Sequence, residues 1–209
     1  MSTRKRPAGA ASRLSAEDIF RKAADIFHAK GYDATSMDDL ARALDVTKAG
    51  LYYYIESKED LLFAIMSFGM DWLDAQVIAP ARAEPDPERR LRVIIGRHGS
   101  ELLGGIRAIT ILSEEVAALV PKHRRVILER KRAYLDLVRG TLDELKAAGR
   151  LRDVDTTVAA FCLFGTLMWL PRWYRSRGRL STEQVIEEVN KLVLNGLLTS
   201  APSNHQPAR

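Results

Sequence analysis

The stretch 46-VTKAGLYYYIESKEDLL-62 decides how the rest of the chain is read. Thr47 and Ser57 are helix-capping residues, and Glu59 and Asp60 follow Ser57 where acidic side chains favour a first turn. The helix between the two caps has room for only about two turns. If it starts at Lys48, Leu51 and Ile55 share its inward face, so Thr47, Lys48, Tyr52 and Tyr53 point wholly or partly away. An outward tyrosine has a use when its ring covers a sugar or a thymine methyl and its hydroxyl bonds a phosphate oxygen. The competing reading packs the tyrosines, Tyr54 above all, against neighbouring helices.

Working outward, Ser36 with Asp39 opens a short helix with Met37, Leu40, Ala41 and Leu44 on one face, and Val46 can plug the turn after it. Ser15 with Asp18 opens an earlier helix striped by Ile19, Ala23, Ile26 and Phe27, which Gly31 closes. Two short helices joined by a tight turn and braced by a third make a helix-turn-helix, whose second helix lies in the DNA major groove. Thr47, Lys48, Ala49 and Gly50 then sit at a helix N-terminus, where free N–H groups attract phosphate and small side chains permit close approach. Lys58 is read as a further phosphate contact, against the alternative of an ordinary solvated lysine.

Beyond residue 62 the helices lengthen, at roughly 58–79, 87–103, 106–119, 122–148, 154–176 and 182–199, punctuated by proline and glycine. Strand alternation is nearly absent. The expected fold is all-α with about nine helices, divided as a flexible basic arm at 1–13, a DNA-binding domain at 14–62, a ligand-binding and dimerisation domain at 63–200, and a flexible tail at 201–209.

Composition narrows the function classes. The single cysteine, Cys162, lies in the apolar run 158-VAAFCLFGTLMWL-170, which excludes a disulfide framework and implies a core position. That run is too short to span a membrane and ends in charge, so a cytoplasmic chain with no membrane partner is expected. A formal net charge of +5 permits an anionic partner without naming one. The four histidines are scattered and no phosphate-cradling glycine loop appears, so no catalytic residue, metal site or cofactor is expected.

The segment 31-GYDATSMDDLARALDVTKAGLYYYIESKEDLL-62 resembles the DNA-binding region of the TetR family of transcriptional regulators, in its glycine–aromatic pair, LYYY core and SKEDLL close. The resemblance implies a homodimer on a palindromic double-stranded operator, an N-terminal helix-turn-helix and a C-terminal helical ligand domain. It also implies DNA-contacting positions at Thr47, Lys48, Tyr52, Tyr53, Tyr54 and Lys58, with Thr35 or Ser36 near phosphate. Tyr54 stands where the family often has histidine, and Ile55 where it usually has phenylalanine.

In the C-terminal part, Phe164, Met168, Trp169 and Trp173 can line an apolar pocket, with Arg172 and Arg175 beside them for an anionic head group. The equal alternative is arginine stacked on tryptophan at a dimer seam. The RWYR run followed by Gly178 resembles a TetR branch that responds to acyl-CoA thioesters, which implies an acyl tunnel and basic residues for CoA phosphates, with Lys122, Arg124, Arg125 and Arg132 as further candidates. A ligand-released repressor is the resulting expectation. The competing one is an activator, or a regulator whose C-terminal helices only dimerise.

Overall fold

The computed structural model describes residues 15–199, with the side chains of Tyr53 and Tyr54 also outside the description. The expected basic arm and C-terminal tail lie outside the described residues. Within them the chain is all-helical: α1 (Ala16–Lys30), α2 (Met37–Ala43), α3 (Lys48–Tyr54), α4 (Lys58–Ala83), α5 (Pro87–Leu103), α6 (Arg107–Glu114), α7 (Pro121–Ala147), α8 (Thr156–Trp173) and α9 (Thr182–Leu197). The only extended pairing among the described residues is an isolated bridge between Leu151 and Leu198.

Local chemistry sets the first four helix starts. Ser15 and Ser36 each accept from the backbone of the aspartate three residues on, Asp18 and Asp39, and each aspartate reaches back to the cap. Thr47 accepts from Gly50 N–H at 2.9 Å, and Ser57 from Asp60 N–H at 3.0 Å. Between α2 and α3, Asp45 takes a left-handed φ of 55°, a conformation short polar side chains tolerate. Leu40, Leu44, Leu51 and Ile55 close over Phe27 and Tyr32 to form the small core.

The helix expected at 58–79 runs on to Ala83 through Pro80. A wide π-turn at Asp74–Ile78 precedes the proline, and Arg97 donates to the Gln76 carbonyl that the proline ring leaves unpaired. Length and composition alone would let α4 cross a membrane. Its apolarity has another cause, since it packs against α1, α6 and α7. The stretch expected at 106–119 stops at Glu114 and finishes in a 3-10 turn at Val116–Ala118. α8 passes Pro171 and ends two residues later.

α5 is the hub of the C-terminal part, packed against the end of α4, α7, α8 and α9. Cys162 is not in this core. It is exposed on α8, beside Val158, Phe161, Trp169 and Trp173, which are 50–60% exposed. A helix apolar all round reads as fully buried, yet α8 sinks only the face of Ala160, Leu163, Leu167 and Leu170 into its own chain.

Candidate DNA-reading surface and effector cavity

At the reading end, Thr47, Lys48 and Ala49 are exposed at the start of α3, and Tyr52 is 44% exposed on its outer face. Lys48 Nζ lies 3.0 Å from Asp38 on α2, and that hydrogen bond raises its pKa. Ser36 is exposed at the start of α2, its hydroxyl shared with Asp39, which Ser36 holds down to about 2. The expected contacts at Tyr53 and Tyr54 fall on side chains outside the described portion.

Two of the expected DNA contacts face inward instead. Thr35 is buried, and its hydroxyl donates to the Gly31 carbonyl at 2.7 Å, closing the loop after α1. Lys58 donates to the carbonyls of Tyr32 at 3.0 Å, Asp33 at 3.4 Å and Thr35 at 3.0 Å, with its ammonium 4.3 Å from the centre of the Tyr32 ring. Three loop carbonyls concentrate negative potential that a single lysine satisfies, so Lys58 clamps α4 to the α1–α2 loop.

The C-terminal domain holds a half-open cavity of about 330 Å³ between α4, α5, α6, α7 and α8. Met70, Leu73, Ile109, Leu112, Leu135 and Phe164 supply apolar wall, and His98, Tyr134, Lys131 and Arg132 the polar positions. Phe164 and Met168 were anticipated. Trp169 and Arg172 line a neighbouring hollow that shares Met168 and Ser113 with the main cavity. Arg172 stacks 5.3 Å from the Trp169 ring and lies 3.4 Å from Glu114, so both readings of this arginine keep an observation behind them. Trp173 and Arg175 are exposed and line neither space, and Arg175 donates only to backbone carbonyls of Arg172 and Tyr174. That run lies in the last turn of α8 and the loop beyond it, past the cavity wall.

Sequence similarity covers both halves of the chain. Residues 19–65 match the profile of bacterial regulatory proteins of the tetR family, and residues 84–197 match the tetracyclin repressor-like C-terminal domain. The chain belongs to the TetR family. The structure of AibR in complex with isovaleryl coenzyme A and operator DNA is 35% identical, with a TM-score of 0.79 over 84% of this chain and 96% of that one. PfmR from Thermus thermophilus is 30% identical, with a TM-score of 0.76 over 85% and 97% of the two chains. The HTH-type transcriptional repressor KstR2 of Rhodococcus jostii is 27% identical over 87% of this chain and 89% of its own.

As a TetR-family regulator, the chain is a DNA-binding helix-turn-helix protein, and its two halves are joined by specific contacts. Glu114, at the end of α6, lies 3.6 Å from His28 of α1 and 3.4 Å from Arg172 of α8. Glu59 accepts from Val120 N–H and pairs with His123, whose ring stacks on Phe63 at 4.0 Å. With Asp60, these ligand atoms fall within 4.8 Å of one another, but Asp60 is spent on Ser57 and Glu59 on α7, so hydrogen bonding accounts for the group. None of these links, nor the pairing of His98 with Tyr134, was singled out from the sequence. The partners lie far apart along the chain and on different helices, where periodicity carries no signal.

Proposed function

We propose that this TetR-family protein is a homodimeric repressor that holds a palindromic operator and releases it when a hydrophobic, anionic effector, of the acyl-CoA thioester class, enters the C-terminal cavity. The reading rests foremost on the junction of an apolar cavity with a basic rim. Leu128 and Arg132 line the cavity and also an outer hollow shared with Arg124 and Arg125. Lys122, Arg124 and Arg125 crowd the first turn of α7, which holds no acidic residue. Cations there oppose the helix dipole, an arrangement that an anionic ligand relieves. Arg124 and Arg132 have no ion-pair partner among the described residues, which leaves them free for phosphate. The acyl part would lie inward and the nucleotide part outward.

Release needs differential binding between two arrangements of the reader. α4 supplies the direct connection, since it begins at the Lys58 clamp and carries Met70 and Leu73 on the cavity wall. α6 supplies a second one, with Ile109 and Leu112 on the wall and Glu114 held to α1. The exposed stripe of α8, with Leu192 of α9 at 74% exposure, supports a two-fold helical seam that sets the spacing of two α3 helices. Such a regulator works in the cytoplasm, where its operator is.

The experiment is a titration of the protein against its own upstream DNA at fixed salt, with and without long-chain, aromatic and steroid-derived acyl-CoAs and their free acids. Release by a thioester but not its acid is the expected result. Tight binding unchanged by all of them would sink the effector class while leaving a DNA-binding regulator.

A further inference from the structure

The cavity wall contains one polar arrangement that its own chain does not complete. His98 of α5 is 3% exposed, and its Nδ1 lies 3.1 Å from the Tyr134 hydroxyl of α7. His98 Nε2 has no hydrogen-bond partner among the described residues. Phe164 stands edge-on to both rings, 5.1 Å from Tyr134 and 6.1 Å from His98, which fixes the pair in place.

Burial keeps both groups neutral, pushing the imidazole down to about 4 and the phenol up. The neutral pair holds two polar hydrogens and spends one on its mutual bond. If Tyr134 donates to Nδ1, the spare hydrogen is on Nε2. If Nδ1 donates to the hydroxyl oxygen, the spare one is on Tyr134. In either tautomer one donor remains, in surroundings where an unmet donor is costly. The other polar side chains on the wall are engaged or lie outward: Ser113 donates to the Thr110 carbonyl, Lys131 to the Leu112 carbonyl at 2.8 Å, and Arg132 is exposed.

We propose that the His98–Tyr134 pair is the polar recognition point of the cavity, and that the effector carries an accepting oxygen, a carbonyl or hydroxyl, within its apolar body. The inference rests on the reading of this cavity as the effector site. It names a selectivity that an apolar pocket cannot supply: a hydrocarbon of the same shape leaves the donor unmet, while a ketone meets it.

The test uses cyclohexyl methyl ketone and ethylcyclohexane, which share a carbon skeleton and differ by a carbonyl in place of one methylene. Met70 and Met168 line the cavity, so their methyl NMR signals report occupancy directly. Affinity for each probe is measured in the full chain and in the double variant His98→Phe/Tyr134→Phe, because each single variant retains a donor. The ratio of ketone to hydrocarbon affinity is expected to fall about tenfold or more in the double variant, the equilibrium equivalent of one lost hydrogen bond. An unchanged ratio would overturn the proposal, as would failure of the ketone to move the methionine signals of the wild-type chain. Should the double variant not fold, the carbonyl stretch of the ketone bound to the wild-type protein decides. A shift to lower frequency supports the pair as donor, and an aprotic-solvent frequency overturns it. Neither arm uses a CoA thioester, so loss of the acyl-CoA reading in the operator titration and loss of this one are separate results.

Discussion

Lys58 shows how one side chain's role is decided by what faces it. A lysine bound to phosphate contributes to the salt dependence of DNA affinity, whereas one bound to three loop carbonyls contributes to folding. Lys58→Met is therefore expected to cost about 2 kcal/mol in denaturant unfolding, the scale of a lost charged hydrogen bond, and to leave the slope of operator affinity against salt unchanged. Lys48→Ala should do the reverse, lowering that slope by about one with little change in stability, because Lys48 is exposed at the head of α3. His98 makes a prediction of its own. Its folded pKa, about 4, lies below the ordinary 6.5, so between these values the unfolded chain binds the extra proton. Stability then falls on acidification through this window, by about 1.4 kcal/mol per pH unit. Equilibrium unfolding from pH 7 to 4 should show this slope in the wild type and a shallower one in His98→Phe. The caps at Ser15, Ser36, Thr47 and Ser57 were legible in sequence because cap and partner are three residues apart. The inward roles of Thr35 and Lys58 were not, because the carbonyls they serve belong to a loop whose path sequence spacing does not reveal.

α4 is the element on which reader and cavity both depend, and its fit against α6 is tight at one place. A Cβ built on Gly69 would sit 2.9 Å from the Ala108 carbonyl oxygen and 3.0 Å from its carbon, so the glycine lets the two backbones approach. Alanine gains about 1 kcal/mol of helix propensity over glycine. Overpacking against a backbone that cannot rotate away costs about 1–3 kcal/mol. Gly69→Ala is therefore expected to destabilise by about 1 kcal/mol net in denaturant unfolding, and an increase in stability would show that the contact is loose. Because α6 also carries Glu114 to α1 and Leu112 to the cavity, the same variant should shift operator affinity. The helices of the described residues were nearly all legible, since their apolar periods and punctuation are local. Two boundaries failed for identifiable reasons. Pro80 reads as a stop, but a π-turn and Arg97 accommodate it. The segment after Glu114 loses its helix to a 3-10 turn that delivers Leu119 into the core.

For the whole molecule, the deciding surface is the face of α8 that its own chain leaves bare. Val158, Phe161 with its neighbour Cys162, Gly165, Trp169 and Trp173 follow one another three or four residues apart, so they form one stripe along the helix, and all are exposed. A contiguous exposed apolar stripe of this kind marks an interface. A second copy meeting it about a two-fold axis would bury the tryptophans in a four-helix seam and place two α3 helices in successive major grooves of one operator. Trp169→Asp puts a carboxylate into that apolar stripe without touching the buried face of Leu163, Leu167 and Leu170. The expected outcome is a folded monomer by sedimentation, with unchanged helical content and an operator affinity reduced by a hundredfold or more, since one reader cannot supply what two linked readers do. If Trp169→Asp remained a dimer with full operator affinity, the seam would lie elsewhere, and the stripe would need another occupant. Phe161 sharpens the argument, because it lies on this stripe and also lines the cavity. A ligand that moves Phe161 would therefore change the seam itself, and the dimer's dissociation constant should differ between the empty protein and the protein saturated with its effector.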